Sequence, residues 1–128
     1  MKRKKILIAG GSSLLALNWV VSKRDSFDFF LSIHNRKITI DGANTFFMNL
    51  DSLDSIKKIF NDIKPDIVVN CVGLTNVEKC EKNPQLASHV NESISINLAK
   101  ACKDLDISFI HISTDHLFDG TKSFVSED

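Results

Sequence analysis

Short apolar runs alternate with amphipathic segments along the chain, and this alternation constrains the fold more than any other feature of the sequence. The short runs, rich in β-branched and aromatic residues, are Lys5–Ala9, Phe27–Ile33, Thr45–Met48, Ile67–Asn70 and Ile107–Ile112. Unbroken apolar stretches such as the one at 67–69 are typical of strands buried on both faces of a parallel sheet. The sequence therefore predicts about five parallel strands.

Three segments between these runs repeat apolar residues at helical spacing, over 14–21, 53–63 and 86–105. Ser12 or Ser13 is the expected N-cap of the first helix, and Asp51 or Ser52 that of the second, which Pro65 closes. The link between the second and third strands has no clear helical pattern. Alternating β and α units predict one α/β domain over residues 1–128, a Rossmann-like doubly wound sheet with strand order 3-2-1-4-5 that is cut after its fifth strand.

Composition limits the partners and the compartment. The chain has 16 Lys and Arg against 16 Asp and Glu, so its net charge favours neither nucleic acid nor a membrane surface. Its apolar start is broken by Gly10-Gly11 and is short for a membrane span. Cys71, Cys80 and Cys102 are odd in number and lack C-x-x-C spacing, which predicts a reduced, cytoplasmic protein with no metal site.

The turn after the first strand is the first candidate site, and its residues are Gly10, Gly11, Ser12, Ser13, Leu14 and Leu15. A turn between a strand and a helix directs free backbone N–H groups, and the positive end of the helix dipole, at a bound phosphate. In the pattern G-x-x-G-x-x-G/A the matching positions are Gly10, Ser13 and Ala16, so serine replaces the central glycine. A dinucleotide site and a plain strand–turn–helix connection both remain open.

The end of the second strand bears on the choice of cofactor. An acidic residue there binds the ribose hydroxyls of NAD, whereas a basic residue accommodates the 2′-phosphate of NADP. This chain has Asn35 and Arg36 and no carboxylate before Asp41, and Arg36 follows Ala16 by 20 residues. The sequence predicts a preference for NADP(H) over NAD(H). The alternative is that Arg36 and Lys37 are solvated loop charges.

Two longer motifs carry a family resemblance. Residues 64–81 read KPDIVVNCVGLTNVEKCE, and residues 109–120 read FIHISTDHLFDG. The first resembles the run K-P-D-hydrophobic-N-x-x-x-x-T-x-V-[DE]-x-x-E, and the second the hISTDyvFdG segment, of the dTDP-4-dehydrorhamnose reductase family. These are extended short-chain dehydrogenases/reductases that act on nucleotide sugars. The resemblance is strong from Lys64 to Gly120 and weak before Lys64.

This resemblance implies a role for several residues. The hydroxyl of Thr114 would polarise the substrate carbonyl during hydride transfer, and Asn91 would brace the backbone of the active site. Further cofactor contacts would come from Asn49, Leu50, Cys71, Val72, Gly73 and Ser113. Residues on the substrate side would be Thr75, Asn76, Glu78, Asp115 and His116. Glu78 and Glu81 fit the substrate-side loop and a short solvated helix equally well. His116 fits either a packing or substrate-edge role or that of a substitute acid.

The same resemblance sets the expected function. The family's proton donor is the tyrosine of a Tyr-x-x-x-Lys pair, and this chain contains no tyrosine. We expect the N-terminal, cofactor-binding portion of an NADPH-dependent reductase of 4-keto nucleotide sugars, inactive on its own. The alternatives are a non-catalytic nucleotide-binding or regulatory module of the same fold, and an inactive fragment.

Two further expectations concern the last strand. An exposed sheet edge beyond it would favour self-association into a homo-oligomer. His111 lies within this strand, and its alternation there predicts a core histidine with satisfied hydrogen bonds rather than a ligand.

Overall fold

The computed structural model of the chain describes residues 2–114 and 119–126. The described residues contain five parallel strands: β1 (Lys4–Ala9), β2 (Phe27–Ile33), β3 (Ala43–Phe47), β4 (Ile67–Asn70) and β5 (Ser108–His111). Their order across the sheet is β3-β2-β1-β4-β5, which confirms the predicted doubly wound topology. The outer strands differ slightly from prediction, since β3 begins two residues earlier and β5 is shorter at both ends.

Helices connect the strands except between β2 and β3, where the chain forms a loop. They are α1 (Leu14–Lys23), α2 (Leu53–Ile63), α3 (Val77–Lys82), α4 (Pro84–Ser88) and α5 (Ile94–Asp104). The Oγ atoms of Ser13 and Ser52 accept the N–H groups of Ala16 and Ser55 in the first turns of α1 and α2, as the sequence predicts for N-caps. Lys64 ends α2 in the left-handed conformation at φ 53°, because the proline after it disfavours continued helix.

The single helix predicted over 86–105 is interrupted. A π-helical turn, His89–Ser93, separates α4 from α5, so the apolar stripe does not keep one register along its length. Leu86 before the turn is exposed, whereas Ile94 and Leu98 after it are buried. The turn consequently lets α4 leave the sheet while α5 packs against it.

The core has two layers, one on each face of the sheet. Leu7 and Val68 pack with Ile56 and Phe60 of α2 and with Leu98 of α5 on one face. On the other face, the cluster contains the buried side chains of Ile6, Ile8, Phe29, Leu31 and Val20. Both faces of β1 are therefore buried, and the turn that follows this strand lies at the centre of the sheet's carboxyl edge.

The prediction for His111 is wrong in one respect. This residue is exposed rather than buried, because β5 lies at the edge of the described sheet and Ile110 beside it is also 44% exposed. Its ring is nevertheless hydrogen-bonded, since Nδ1 lies 3.1 Å from Nδ2 of the buried Asn70. No helix in the described part of the chain has the length and apolar content that a bilayer crossing requires.

Candidate functional site

The turn between β1 and α1 passes very close to the loop after β4. Gly10 has a φ of 76°, and a Cβ added there would lie 2.8 Å from the carbonyl carbon of Cys71. Gly11 has a different role, because its N–H donates to Ser32 O at 2.8 Å and an added Cβ would overlap Leu31. Gly10 therefore permits the tight turn and the close approach, while Gly11 attaches the turn to β2.

Ser13 caps the helix and leaves the turn open. Its Oγ accepts the Ala16 N–H at 3.2 Å, and its own N–H donates to Gly10 O at 3.0 Å. The N–H groups of Leu14 and Leu15, at the first two positions of α1, have no acceptor within the helix. These groups and the positive end of the helix dipole face the carboxyl edge of the sheet, which is the arrangement that binds phosphate.

A cleft along this edge has two lobes that share Ser13, Cys71, Val72 and Gly73. The first lobe, of about 840 Å³, extends from Gly10 across the ends of β2 and β3. The second lobe, of about 850 Å³, extends across the end of β5. Each lobe has the volume of a small-ligand site, and the predicted phosphate turn lies where they meet.

The far end of the first lobe is apolar and closed by polar links at its rim. Met48, Leu50, Val90 and Ile94 line it, which suits a flat base. His89 Nε2 lies 2.8 Å from Asp51 Oδ1, so the π-helical turn is tied to the loop after β3. Asn97 Nδ2 donates to Leu50 O at 3.1 Å and adds a second tie.

Asn49, at the same end, has its acceptor occupied. Its Oδ1 accepts the Asp51 N–H at 3.0 Å, which leaves the amide NH2 as the group able to contact a ligand. An aspartate at this position would instead offer only acceptors.

The residues predicted to select the cofactor follow β2 but lie outside the lining of the first lobe. His34 lines the first lobe, whereas Asn35 and Arg36 are exposed and do not line it. Arg36 is two residues from His34, so its long side chain starts close to the lobe.

The shared floor contains the half-buried thiol of Cys71. Burial raises the pKa of Cys71 above its ordinary value, and a hydrogen bond with Ser13 partly offsets that rise. Because the thiolate is the nucleophilic form of cysteine, a raised pKa argues against covalent chemistry at Cys71. We therefore expect Cys71 to contribute to the floor on which a ligand lies and not to react with it.

The second lobe is lined by Thr114, the predicted catalytic residue, and by Thr75, one of the residues predicted on the substrate side. Leu15, Thr75, Ser113 and Thr114 all line it. Its wall is braced by Asn91, whose Oδ1 accepts the Leu74 N–H at 2.7 Å and whose Nδ2 donates to Leu74 O at 3.3 Å. This double contact matches the bracing role that the family resemblance implies for Asn91.

Some predicted residues do not line either lobe. Leu14 is 79% exposed, Asn76 caps α3 through the Lys79 N–H at 2.8 Å, and Glu78 lies 4.0 Å from Lys82 on the surface. Asp115 and His116 lie outside the described residues. Residues 2–114 and 119–126 contain no cluster of His, Cys, Asp and Glu able to hold a metal ion.

Sequence reasoning missed a large part of the cleft wall. The missed residues with polar or ring groups are Ser32, His34, Phe47, Asp51, Cys80, His89 and His111, whereas Glu81, expected on the substrate side or on a solvated helix, lines the second lobe. His34 had a local signal, since it directly follows β2. Asp51 and His89 lie 38 residues apart in sequence and meet only because the π-helical turn, which begins at His89, lies beside the loop after β3.

Comparison with known proteins links this architecture to one family. Residues 4–128 match the model of the family described as RmlD substrate binding domain. The chain is 35% identical over 97 residues to the probable low-salt glycan biosynthesis reductase Agl14 of Haloferax volcanii, which covers 75% of this chain and 32% of Agl14. It is 49% identical over 53 residues to a dTDP-4-dehydrorhamnose reductase of Mycolicibacterium smegmatis, covering 41% and 16% of the two chains.

A relative with a different name also matches. The methionine adenosyltransferase 2 subunit beta of Xenopus laevis is 33% identical over 81 residues, which are 63% of this chain and 24% of that protein. The chain thus spans about a third or less of the length of these three relatives.

Solved structures agree with the fold. A hypothetical dTDP-4-dehydrorhamnose reductase from Sulfolobus tokodaii superposes with a TM-score of 0.82 at 25% identity, covering 97% of this chain and 44% of the other. The dTDP-4-dehydrorhamnose reductase of Bacillus anthracis in complex with NADP superposes with a TM-score of 0.77 at 20% identity, covering 96% and 40%. Together with the family match over residues 4–128, these findings establish that the chain belongs to the RmlD substrate binding domain family.

Proposed function

We propose that the chain binds a nicotinamide dinucleotide along the two-lobed cleft, with the pyrophosphate on the turn of residues 10–15. The observation that carries this proposal is the turn itself, because the N–H groups of Leu14 and Leu15 are available at the point where the strand order reverses. Open α/β sheets bind ligands at this switch point, outside the carboxyl ends of their strands.

The two lobes give the dinucleotide a direction. The apolar end formed by Met48, Leu50 and Val90 suits the adenine, which would leave the nicotinamide in the second lobe near Thr114. The complex of the Bacillus anthracis relative with NADP supports a cofactor of this class. Gly73, on the shared floor, has open space where a Cβ would be, with Asn91 Oδ1 3.7 Å away, so the ligand can approach its backbone.

We further propose that the cofactor is NADP(H) and that Arg36 contacts its 2′-phosphate. Replacing Arg36 by alanine is expected to weaken NADPH binding about tenfold, the effect of losing one charged hydrogen bond at an exposed site. NADH, which has no 2′-phosphate, should bind equally well to the variant and to the unchanged chain. Isothermal titration calorimetry of both proteins with both nucleotides measures these differences in affinity.

Lys58→Ala is the matched control, because Lys58 is an exposed cation on α2 away from both lobes. This control should leave the NADPH affinity unchanged. Tighter binding of NADH than NADPH by the unchanged chain would contradict the assignment of NADP(H). Equal loss of both nucleotides in Arg36→Ala would contradict the specific role of Arg36.

The reaction that we propose for the complete reductase is hydride transfer from NADPH to a 4-keto nucleotide sugar. The relatives named dTDP-4-dehydrorhamnose reductase support this substrate class, and Thr114 would donate a hydrogen bond to the carbonyl oxygen that receives the proton. The chain has no tyrosine to deliver that proton. We therefore propose that it contributes the cofactor site and Thr114 rather than the complete reductase.

The second candidate is a non-catalytic nucleotide-binding module. The match to methionine adenosyltransferase 2 subunit beta favours it, since that name describes a subunit rather than a reductase. Both candidates require NADPH binding. They differ in the second lobe, where only the reductase portion is expected to bind a nucleotide sugar beside NADPH, and titration of the NADPH-saturated chain with dTDP-rhamnose would detect that binding.

A further inference from the structure

The side-chain amide of Asn70 is held in one orientation by two independent contacts. Asn70 is fully buried, and its Oδ1 accepts the Val72 N–H at 2.9 Å. Ser95 Oγ donates its own proton to Asn91 O at 3.1 Å, so it must accept the hydrogen bond from Asn70 Nδ2 at 2.9 Å. Both contacts require the oxygen of the amide to face Val72 and its NH2 group to face Ser95.

This orientation determines which nitrogen of His111 carries the proton. The second hydrogen of Asn70 Nδ2 points at His111 Nδ1, 3.1 Å away. Because an amide NH2 can only donate, Nδ1 must be the acceptor. The neutral ring therefore carries its proton on Nε2, and the network that fixes it runs from a backbone N–H on the floor of the cleft to the edge strand.

His111 also lines the second lobe. It is exposed, and it shares this lobe with Thr114, three residues later, and with Thr75. With Nδ1 held by the buried amide, Nε2 is the ring nitrogen that is left to donate a hydrogen bond to a ligand in this lobe. A donor of fixed tautomer is suited to an oxygen acceptor such as a sugar hydroxyl or carbonyl.

We propose that His111 is a ligand-binding residue that donates a hydrogen bond from Nε2 to an oxygen of the nucleotide sugar, with Asn70 as its positioning residue. The identity of the ligand rests on the function proposed above, whereas the tautomer rests only on the network around Asn70. The two parts can therefore fail separately.

The tautomer is tested first, in the ligand-free chain. The ¹⁵N shifts of the imidazole nitrogens above the titration range should assign the proton of His111 to Nε2, with His34 as an exposed reference in the same spectrum. In Asn70→Asp the carboxylate can only accept, so the proton should move to Nδ1. A proton on Nδ1 in the unchanged chain would overturn the proposal, and this measurement decides the matter even if Asn70→Asp does not fold.

The ligand is tested next, in the chain saturated with NADP⁺. Adding dTDP-rhamnose, the product of reducing dTDP-4-dehydrorhamnose, should shift the Nε2 signal of His111. His111→Leu should weaken binding of this nucleotide sugar about fivefold, while His111→Gln, which keeps an N–H donor, should stay within about twofold. An unchanged His111 signal, or equal affinities in the two variants, would overturn the binding role. Failure of NADP⁺ itself to bind would instead contradict the proposed function.

Discussion

Replacing Gly10 by alanine is expected to lower the free energy of unfolding by about 3 kcal/mol and to abolish measurable NADPH binding. Two effects add. A φ of 76° costs an alanine about 1–2 kcal/mol. The new Cβ would also lie 2.8–2.9 Å from backbone atoms of Cys71 and Val72, which cannot move without disturbing β4. Urea denaturation and NADPH titration of the variant measure the two losses.

Gly120→Ala separates these two effects. Gly120 has nearly the same φ, 77°, but an added Cβ there would meet nothing within 4 Å. This variant should therefore lose only the conformational part, about 1–2 kcal/mol, and should bind NADPH normally. Equal destabilisation by the two substitutions would show that the close approach of Gly10 to Cys71 does not limit the fold.

Replacing Asn70 by leucine is expected to lower the free energy of unfolding by about 3 kcal/mol, although the side chains are similar in size. The leucine would fill the buried space but would leave the Val72 N–H without its acceptor, and Ser95 and His111 without their donor. These hydrogen bonds are partly buried, and a polar group that is left unsatisfied away from water costs about 1–3 kcal/mol. Urea denaturation at neutral pH measures the loss.

Asn61→Ala is the matched control, because Asn61 is exposed on α2 and surface substitutions usually change stability by less than about 0.5 kcal/mol. If Asn70→Leu were as stable as this control, the hydrogen bonds of Asn70 would not contribute to the fold.

The local and periodic parts of the structure were predictable from the sequence. The strand order follows from alternating apolar runs and helices, because crossovers between parallel strands are right-handed. The caps at Ser13 and Ser52 were predictable because a serine before an apolar repeat satisfies free N–H groups within its own turn. Family motifs added Thr114 and Asn91, which no periodicity distinguishes.

The parts that depend on tertiary geometry were not predictable. The π-helical turn at 89–93 shifts the helical register without a glycine or proline to mark it, so one continuous helix was expected. His111 alternates like a core residue, but its strand is the last in the described sheet, and burial depends on what lies beside a strand. The tautomer of His111 follows from a chain of contacts that spans residues 70–111.

The central claim is that the turn after β1 binds the pyrophosphate of a dinucleotide, and amide NMR of the ¹⁵N-labelled chain titrated with NADPH tests it most directly. We expect the largest shifts at the N–H groups of Ser12–Leu15 and at Gly73. A second groove lies at the amino ends of the strands, where Arg24 and Asp41 line it. It serves as the internal comparison, and its amide signals should not shift. Shifts confined to that groove, or none at Ser12–Leu15 under saturating NADPH, would show that the turn does not bind the pyrophosphate.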